Sequence, residues 1–176
     1  LFQRNHDGDG LVRDEVVPGA EWVMEGEGSA TVKIDGTACM IRLGRLYKRY
    51  DAKNGKIPPA DFEPAEDAQN EHTGHWPGWV PVGDGPEDKW HRSVDIAGLQ
   101  DGTYELIGPK VQGNPYHSAA HGLARHGEIK ADAPRDFDGL RQFFARNEIE
   151  GVVWHHPDGR MVKIKRRDFG LPWPPK

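Results

Sequence analysis

The chain has 176 residues, 36% of them hydrophobic and 29% charged, with a formal net charge of −5. That is enough for one well-buried core and too little for a second full domain, so residues 1–176 read as a single domain. No apolar run approaches the ~20 residues that cross a bilayer, and the single cysteine, Cys39, excludes an internal disulfide and a cysteine-only metal site.

No signal-peptide core is present, and the chain begins at Leu1 rather than Met, as a fragment or a processed chain does. A reducing setting, cytoplasmic or nuclear and away from membranes, is expected. Residues 1–20 are polar and turn-rich. Asn5, Asp7, Asp9 and Gly10 resemble the start of a calcium loop, but Val16 stands where the twelfth-position glutamate belongs, so the stretch is read as a turn. A strand-like run begins at Trp22-Val23-Met24. Strands are expected over 29–34, 37–43 and 45–50, rich in Val, Ile, Thr and Tyr. Asp35-Gly36 and Gly44 serve as hairpin turns between them, and the three form an antiparallel meander.

Residues 52–101 are rich in Gly and Pro, contain Trp76, Trp79 and Trp90, and show little periodicity. They read as a long loop excursion, either pinned by its own tryptophans or serving as a lid over a substrate. A strand follows at 103–108 and a short helix at 117–125. Phe137, Leu140, Phe143 and Phe144 fall at helical spacing behind Asp136, which predicts a helix over 137–147. Glu150-Gly151-Val152-Val153-Trp154 reads as a strand, Pro157-Asp158-Gly159 as a turn, and Met161-Val162-Lys163-Ile164-Lys165 as the returning strand. Leu171-Pro172-Trp173-Pro174-Pro175 is irregular. The fold class expected is α+β, mostly antiparallel sheets with a few flanking helices.

Charged residues embedded in strand-like runs carry the functional reading. They are Lys33, Glu105, Glu150, Lys163 and Lys165. Lys33 ends one apolar run beside Asp35-Gly36, and on periodicity alone it is either a surface charge or a nucleophile. Alternation sets Lys163 and Lys165 on one strand face with Ile164 opposite. Two unpaired lysines in a dry core would cost too much, so that face is solvent or a polar cleft. Three lysines and two glutamates suit a polyphosphate with a divalent cation. Two basic stretches, Arg42, Arg45, Lys48, Arg49, Lys53 and Lys56, then Arg160, Lys163, Lys165, Arg166 and Arg167, are solvated strand faces or a phosphate-facing patch. His72 with His75, His117 with His121, and His155 with His156 are candidate zinc ligands, but with one cysteine and no clustered H-x₃-H plus acid signature they are read as ordinary histidines. Cys39, in an apolar strand, reads as a buried structural thiol.

Lys33-Ile34-Asp35-Gly36 resembles the K-x-D-G motif of the covalent nucleotidyltransferases, the ATP-dependent ligases and capping guanylyltransferases. The remaining motifs follow in that superfamily's order: Tyr104-Glu105-Leu106-Ile107-Gly108, Glu150-Gly151-Val152-Val153 and Val162-Lys163-Ile164-Lys165. More narrowly, Leu46-Tyr47-Lys48-Arg49-Tyr50-Asp51, the stretch from Gly74 to Val82 and the stretch from Gly108 to Pro115 look like the RNA ligase 1 family, which includes the vertebrate 5′–3′ RNA ligase. The resemblance implies a nucleotidyltransferase-type adenylation domain. It implies that Lys33 attacks the α-phosphate of ATP and carries AMP, and that Asp35 helps fix the lysine. Arg49 would contact ribose or the incoming strand end, and Glu105 would bind ribose. Glu150 would hold Mg²⁺ or Mn²⁺, and Lys163 and Lys165 would contact the α-phosphate. The partners implied are ATP and RNA ends, one with a 5′-phosphate and one with a 3′-hydroxyl. Val32 precedes the lysine where many ligases have glutamate, and Ala38 stands where many have arginine. A lysine nucleophile needs its lone pair, and cations crowded round an amine favour its neutral form. Two other readings share these residues: a GTP-dependent capping-type enzyme, and a non-catalytic nucleotide- or RNA-binding module.

Overall fold

The computed structural model describes residues 1–53, 56–71 and 73–175. These divide into two compact units, residues 1–34 with 126–176 and residues 35–125. In chain order the strands are β1 (Phe2–Arg4), β2 (Val12–Val16), β3 (Ser29–Lys33), β4 (Thr37–Arg42), β5 (Arg45–Asp51), β6 (Glu63–Pro64), β7 (Pro77–Pro81), β8 (Gly102–Ile107), β9 (Gly122–Arg125), β10 (Gly151–His155) and β11 (Met161–Lys165). The helices are α1 (Glu21–Met24), α2 (Lys89–Arg92) and α3 (Phe137–Arg146), with 3₁₀ turns at Pro86–Asp88 and Arg166–Phe169. The fold is α+β, and every strand pairing is antiparallel.

The first unit holds the hairpin β1-β2 and a three-stranded sheet in the order β11-β10-β3. Its core joins Trp22 and Val23 to Leu140 and Phe144 of α3 and to Val152, Trp154 and Ile164 of the sheet. α3 forms where the 3.6-residue pattern puts it. The Asp136 carboxylate accepts from the Gly139 N–H at 2.8 Å, which caps the first turn. Leu140 and Phe144, four residues apart, are fully buried. Trp22-Val23-Met24 departs from the expected strand and forms the helical turn α1. Trp22 and Val23 are consecutive and both buried, which a helical turn allows and a strand's alternation does not. Residues 5–10 form the expected turn, in which Asp9 accepts from the Leu11 N–H at 3.0 Å and pairs with Arg13.

The second unit is a six-stranded sheet in the order β6-β7-β5-β4-β8-β9. Cys39, Ile41, Leu46, Tyr104, Leu106 and Val111 fill its core. Cys39 is buried, and burial pushes its thiol up to about 12, in keeping with a structural role. The β4-β5 hairpin closes through Leu43 and Gly44 at φ 51° and 70°, a two-residue turn with both centres left-handed.

Three expectations change here. Asp35-Gly36 is not a hairpin turn, because β3 pairs with β10 while β4 pairs with β5 and β8. Gly36 serves close approach instead, since a Cβ there would stand 2.3 Å from the Leu106 carbonyl oxygen. Residues 122–125 are the edge strand β9, not a helix, since they pair with β8. The 52–101 excursion carries β6, β7, the 3₁₀ turn Pro86–Asp88 and α2. β7 reads as loop in the sequence because Pro77 and Pro81 bound only three residues. The tryptophans do pin the stretch. Trp76 Nε1 donates to the Glu66 carbonyl at 2.8 Å and its ring meets Phe62 edge-on at 5.3 Å. Trp90 stacks on His121 at 4.8 Å.

The two basic stretches are not uniform faces. Lys48 turns inward to the buried Asp88 at 2.5 Å, and Arg42 pairs with Glu63 at 2.5 Å. Arg166 is buried and donates to the carbonyls of Phe144, Asn147 and Pro172, a strut between α3 and the chain's last turn. His72 lies outside the described residues. His75 bonds Asp51, and His156 bonds Glu27 at 2.6 Å.

Candidate active site

Alternation in the β11-β10-β3 sheet sorts its residues onto two faces. Val152, Trp154 and Ile164 are buried in the first unit's core, with Ala30 and Val162 packed against them. Lys33, Gly151, Val153, Lys163 and Lys165 therefore occupy the other face. The register sets Lys33, Gly151 and Lys165 side by side across the three strands. The residue between the two lysines has no side chain, and Glu150, one position before it, reaches them both. Lys33 Nζ lies 2.5 Å from Glu150 Oε2, and Lys165 Nζ lies 3.7 Å from Glu150 Oε1. Glu150 is buried, and its backbone carbonyl accepts from the Arg166 N–H at 2.8 Å. The sheet thus fixes the carboxylate from behind while the lysines approach from its strands.

Three ammonium groups share this face with one carboxylate. Lys163 feels the imbalance: burial, then the charges of Lys165 and Lys33, hold its amine below the ordinary lysine range, against the pull of Glu150 and Asp168. Asp168 is buried, pairs with Arg4 and accepts from the Lys165 N–H at 2.8 Å, which anchors the end of β11. A folded-state value below the free one means that the ammonium is disfavoured in the fold. Stability should then rise as pH climbs through the lowered folded value, and level off near the free value of about 10.4. Lys163→Met is expected to raise the thermal midpoint at neutral pH and remove that alkaline rise, while weakening any phosphate binding at this face. Melting curves at stepped pH check it; a lowered midpoint at pH 7 would show that Lys163 stabilises the fold.

The second unit holds the other residues singled out. The Asp35 N–H donates to the Tyr116 hydroxyl at 2.6 Å, and the Gly36 carbonyl accepts from Gln112 Nε2 at 3.3 Å. A Cβ on Gly36 would lie 3.2 Å from a Glu105 carboxylate oxygen, so the bare glycine backs directly onto that side chain. Ala38 pairs with Glu105 on β8. Cys39 pairs with Lys48, which sets Ala38 beside Arg49. Arg49 and Glu105 thus share the face opposite the core, two strand spacings apart, about 10 Å, with the small Ala38 between them. The Arg49 guanidinium lies over the Trp79 ring at 5.7 Å. The structure brings Lys33, Lys163 and Lys165 together on one sheet with Glu150 one residue before β10, and sets Arg49 and Glu105 on the other sheet, while Asp35 lies in the segment just before β4. Sequence reasoning missed Tyr116 and gave Gln112 no role of its own within the Gly108–Pro115 stretch, since both sit in irregular chain where no periodicity marks them.

Among the described residues, no three His, Cys, Asp or Glu side chains converge on one point. A hard divalent ion of the Mg²⁺ kind takes one or two carboxylates and completes its shell with substrate phosphates and water. Glu150, a single carboxylate in a phosphate-attracting surround, fits as one such ligand.

The family model for RNA ligase 1 matches residues 84–176, which include Glu105, Glu150, Lys163 and Lys165. The chain is 32% identical to RNA ligase 1 of Danio rerio over 83% of this chain and 68% of that protein. It is 27% identical to RNA ligase 1 of Mus musculus, over 82% of this chain and 68% of that protein. With a family model spanning half its length and a relative covered over two thirds, the chain belongs to the RNA ligase 1 family.

Proposed function

We propose that this protein is an ATP-dependent RNA ligase working through AMP held covalently on Lys33. The observation that carries the reading is the shared face of Lys33, Glu150, Lys163 and Lys165, drawn from three strands and the residue before one of them. Family membership adds RNA as the substrate named for its relatives.

In the first step the Lys33 amine attacks the α-phosphorus of ATP. An N–P bond forms, the bond to the bridging oxygen breaks, pyrophosphate leaves and the amine gives up a proton. Glu150 Oε2, 2.5 Å from Nζ, holds the amine in place and lies within proton-transfer distance. Lys163 and Lys165 offset charge that builds on the phosphoryl oxygens. In the second step an oxygen of an RNA 5′-phosphate attacks the same phosphorus and the N–P bond breaks. In the third, a 3′-hydroxyl attacks the activated 5′-phosphorus and AMP leaves. Mg²⁺ or Mn²⁺, held at Glu150, would neutralise phosphate charge. Asp35, Arg49 and Glu105 take the lysine-fixing, strand-end or ribose, and ribose roles that the resemblance implies.

The test is incubation with α-labelled ATP and Mg²⁺, then denaturation, with GTP in a parallel arm. Label from ATP should stay on the protein and chase onto 5′-phosphorylated RNA. Label that washes away sinks the covalent reading. A preference for GTP turns the enzyme into a capping-type guanylyltransferase, and a chase onto DNA ends alone removes RNA as substrate.

A further inference from the structure

Residues 129–131 run alongside β3. The Val32 N–H donates to the Ile129 carbonyl at 2.8 Å, the Ala131 N–H donates to the Ala30 carbonyl at 3.0 Å, and Thr31 and Lys130 form an antiparallel bridge. Bridge partners point to the same side of a sheet. Thr31 is two residues from Lys33 and shares its face, so Lys130 joins Lys33, Lys163 and Lys165 there. The row across the sheet reads Lys130, Thr31, Val153, Lys163, a lysine at either end.

His155 occupies the next row on this face, paired in register with Ser29 and Met161. Its Nε2 lies 2.8 Å from Thr31 Oγ1, and the turn at Gly127 passes about a ring's thickness away, with a Cβ there at 4.0 Å from the imidazole. Burial, then the charges of Lys130 and His126, hold the imidazole below its ordinary range. Cationic groups therefore crowd this end of the face as well.

The two ends of the row are three strand spacings apart, about 14 Å at the backbone. One phosphate group at Lys163 leaves Lys130 unused. A phosphodiester chain crossing the strands supplies an anion at both ends. Given the RNA-ligase reading above, on which this rests, we propose that Lys130, with His155 beside it, holds a backbone phosphate of the RNA strand being joined.

The experiment is fluorescence anisotropy of a 5′-phosphorylated single-stranded RNA without ATP, from about 50 to 200 mM salt. It compares wild type with Lys130→Ala and Lys130→Arg. Lys130→Ala should weaken binding several-fold and make the slope of log K against log salt shallower by about 0.7, the loss of one single-strand phosphate contact. Lys130→Arg, which keeps the charge, should keep the slope. An unchanged slope and affinity in Lys130→Ala overturns this proposal and leaves the ligase reading standing. Absence of RNA binding by wild type overturns this proposal, and the chase of label from Lys33 onto RNA decides the ligase reading separately. Self-labelling from ATP that falls in Lys130→Ala while RNA binding holds assigns the residue to nucleotide and also overturns it.

Discussion

Replacing Lys33 by arginine is expected to reduce covalent labelling from ATP by more than about 10³-fold while leaving the protein folded. Arginine stays protonated and has no lone pair to offer at neutral pH, yet its guanidinium can still meet Glu150. Lys33→Ala should lose the label equally, with a further cost in stability. Glu150 is buried and Lys33 is its nearest partner at 2.5 Å, with Lys165 at 3.7 Å. Removing the nearer cation leaves a carboxylate half-answered, which costs about 1–3 kcal/mol. Labelling and urea denaturation on both variants separate the roles. Label retained by either variant removes Lys33 as the nucleophile. Equal destabilisation of both would mean that the pair with Glu150 needs the lysine's own shape.

The second large effect belongs to Gly151. It sits between Lys33 and Lys165, and a Cβ there would stand 2.5 Å from the Ile164 carbonyl oxygen and 3.2 Å from the Lys165 Cα. Those are backbone atoms of the paired strand, so no rotamer change relieves the clash. Gly151→Ala should destabilise by about 3 kcal/mol, the upper end of the usual overpacking range. That lowers the thermal midpoint by roughly 6–12 °C for a protein of this size. It also spreads the two strands that carry Lys33 and Lys165, so labelling should fall even well below the melting transition. Gly122→Ala is the control, since nothing lies within 4 Å of its Cβ position and its backbone is ordinary. A Gly151→Ala protein as stable and as active as Gly122→Ala would mean that β10 and β11 separate at little cost.

How legible this site was depends on which physical signal each residue left. Lys163-Ile164-Lys165 showed its faces directly, because strand alternation has a period of two and Ile164 is apolar. Lys33 was readable as a strand residue, but not its neighbour in space. Asp-Gly suggested a hairpin, whereas Gly36 is there because β8 comes within 2.3 Å of where a side chain would begin. A glycine required by close approach and one required by a turn look alike in sequence. Arg166 was grouped with the basic run that precedes it, although it points the other way, into carbonyls that only folding brings near. Lys130 left no signal, since a single bridge beside β3 has no period to detect. The helix at 137–146 and the strands at 151–155 and 161–165 were legible because their apolar spacing and their packing agree.

The chain leaves the first unit after Ile34 and returns to it at His126. Lys33 precedes its carboxylate partner Glu150 by 117 residues. At the ribosomal pace of about 5–20 residues per second, Glu150 emerges roughly 6–23 s after Lys33. During that interval β3 lacks β10, the strand it pairs with, and the Lys33 amine lacks Glu150. A polypeptide that stops short of residue 150 therefore carries Lys33-Ile34-Asp35-Gly36 without the carboxylate that meets the Lys33 amine in the folded protein.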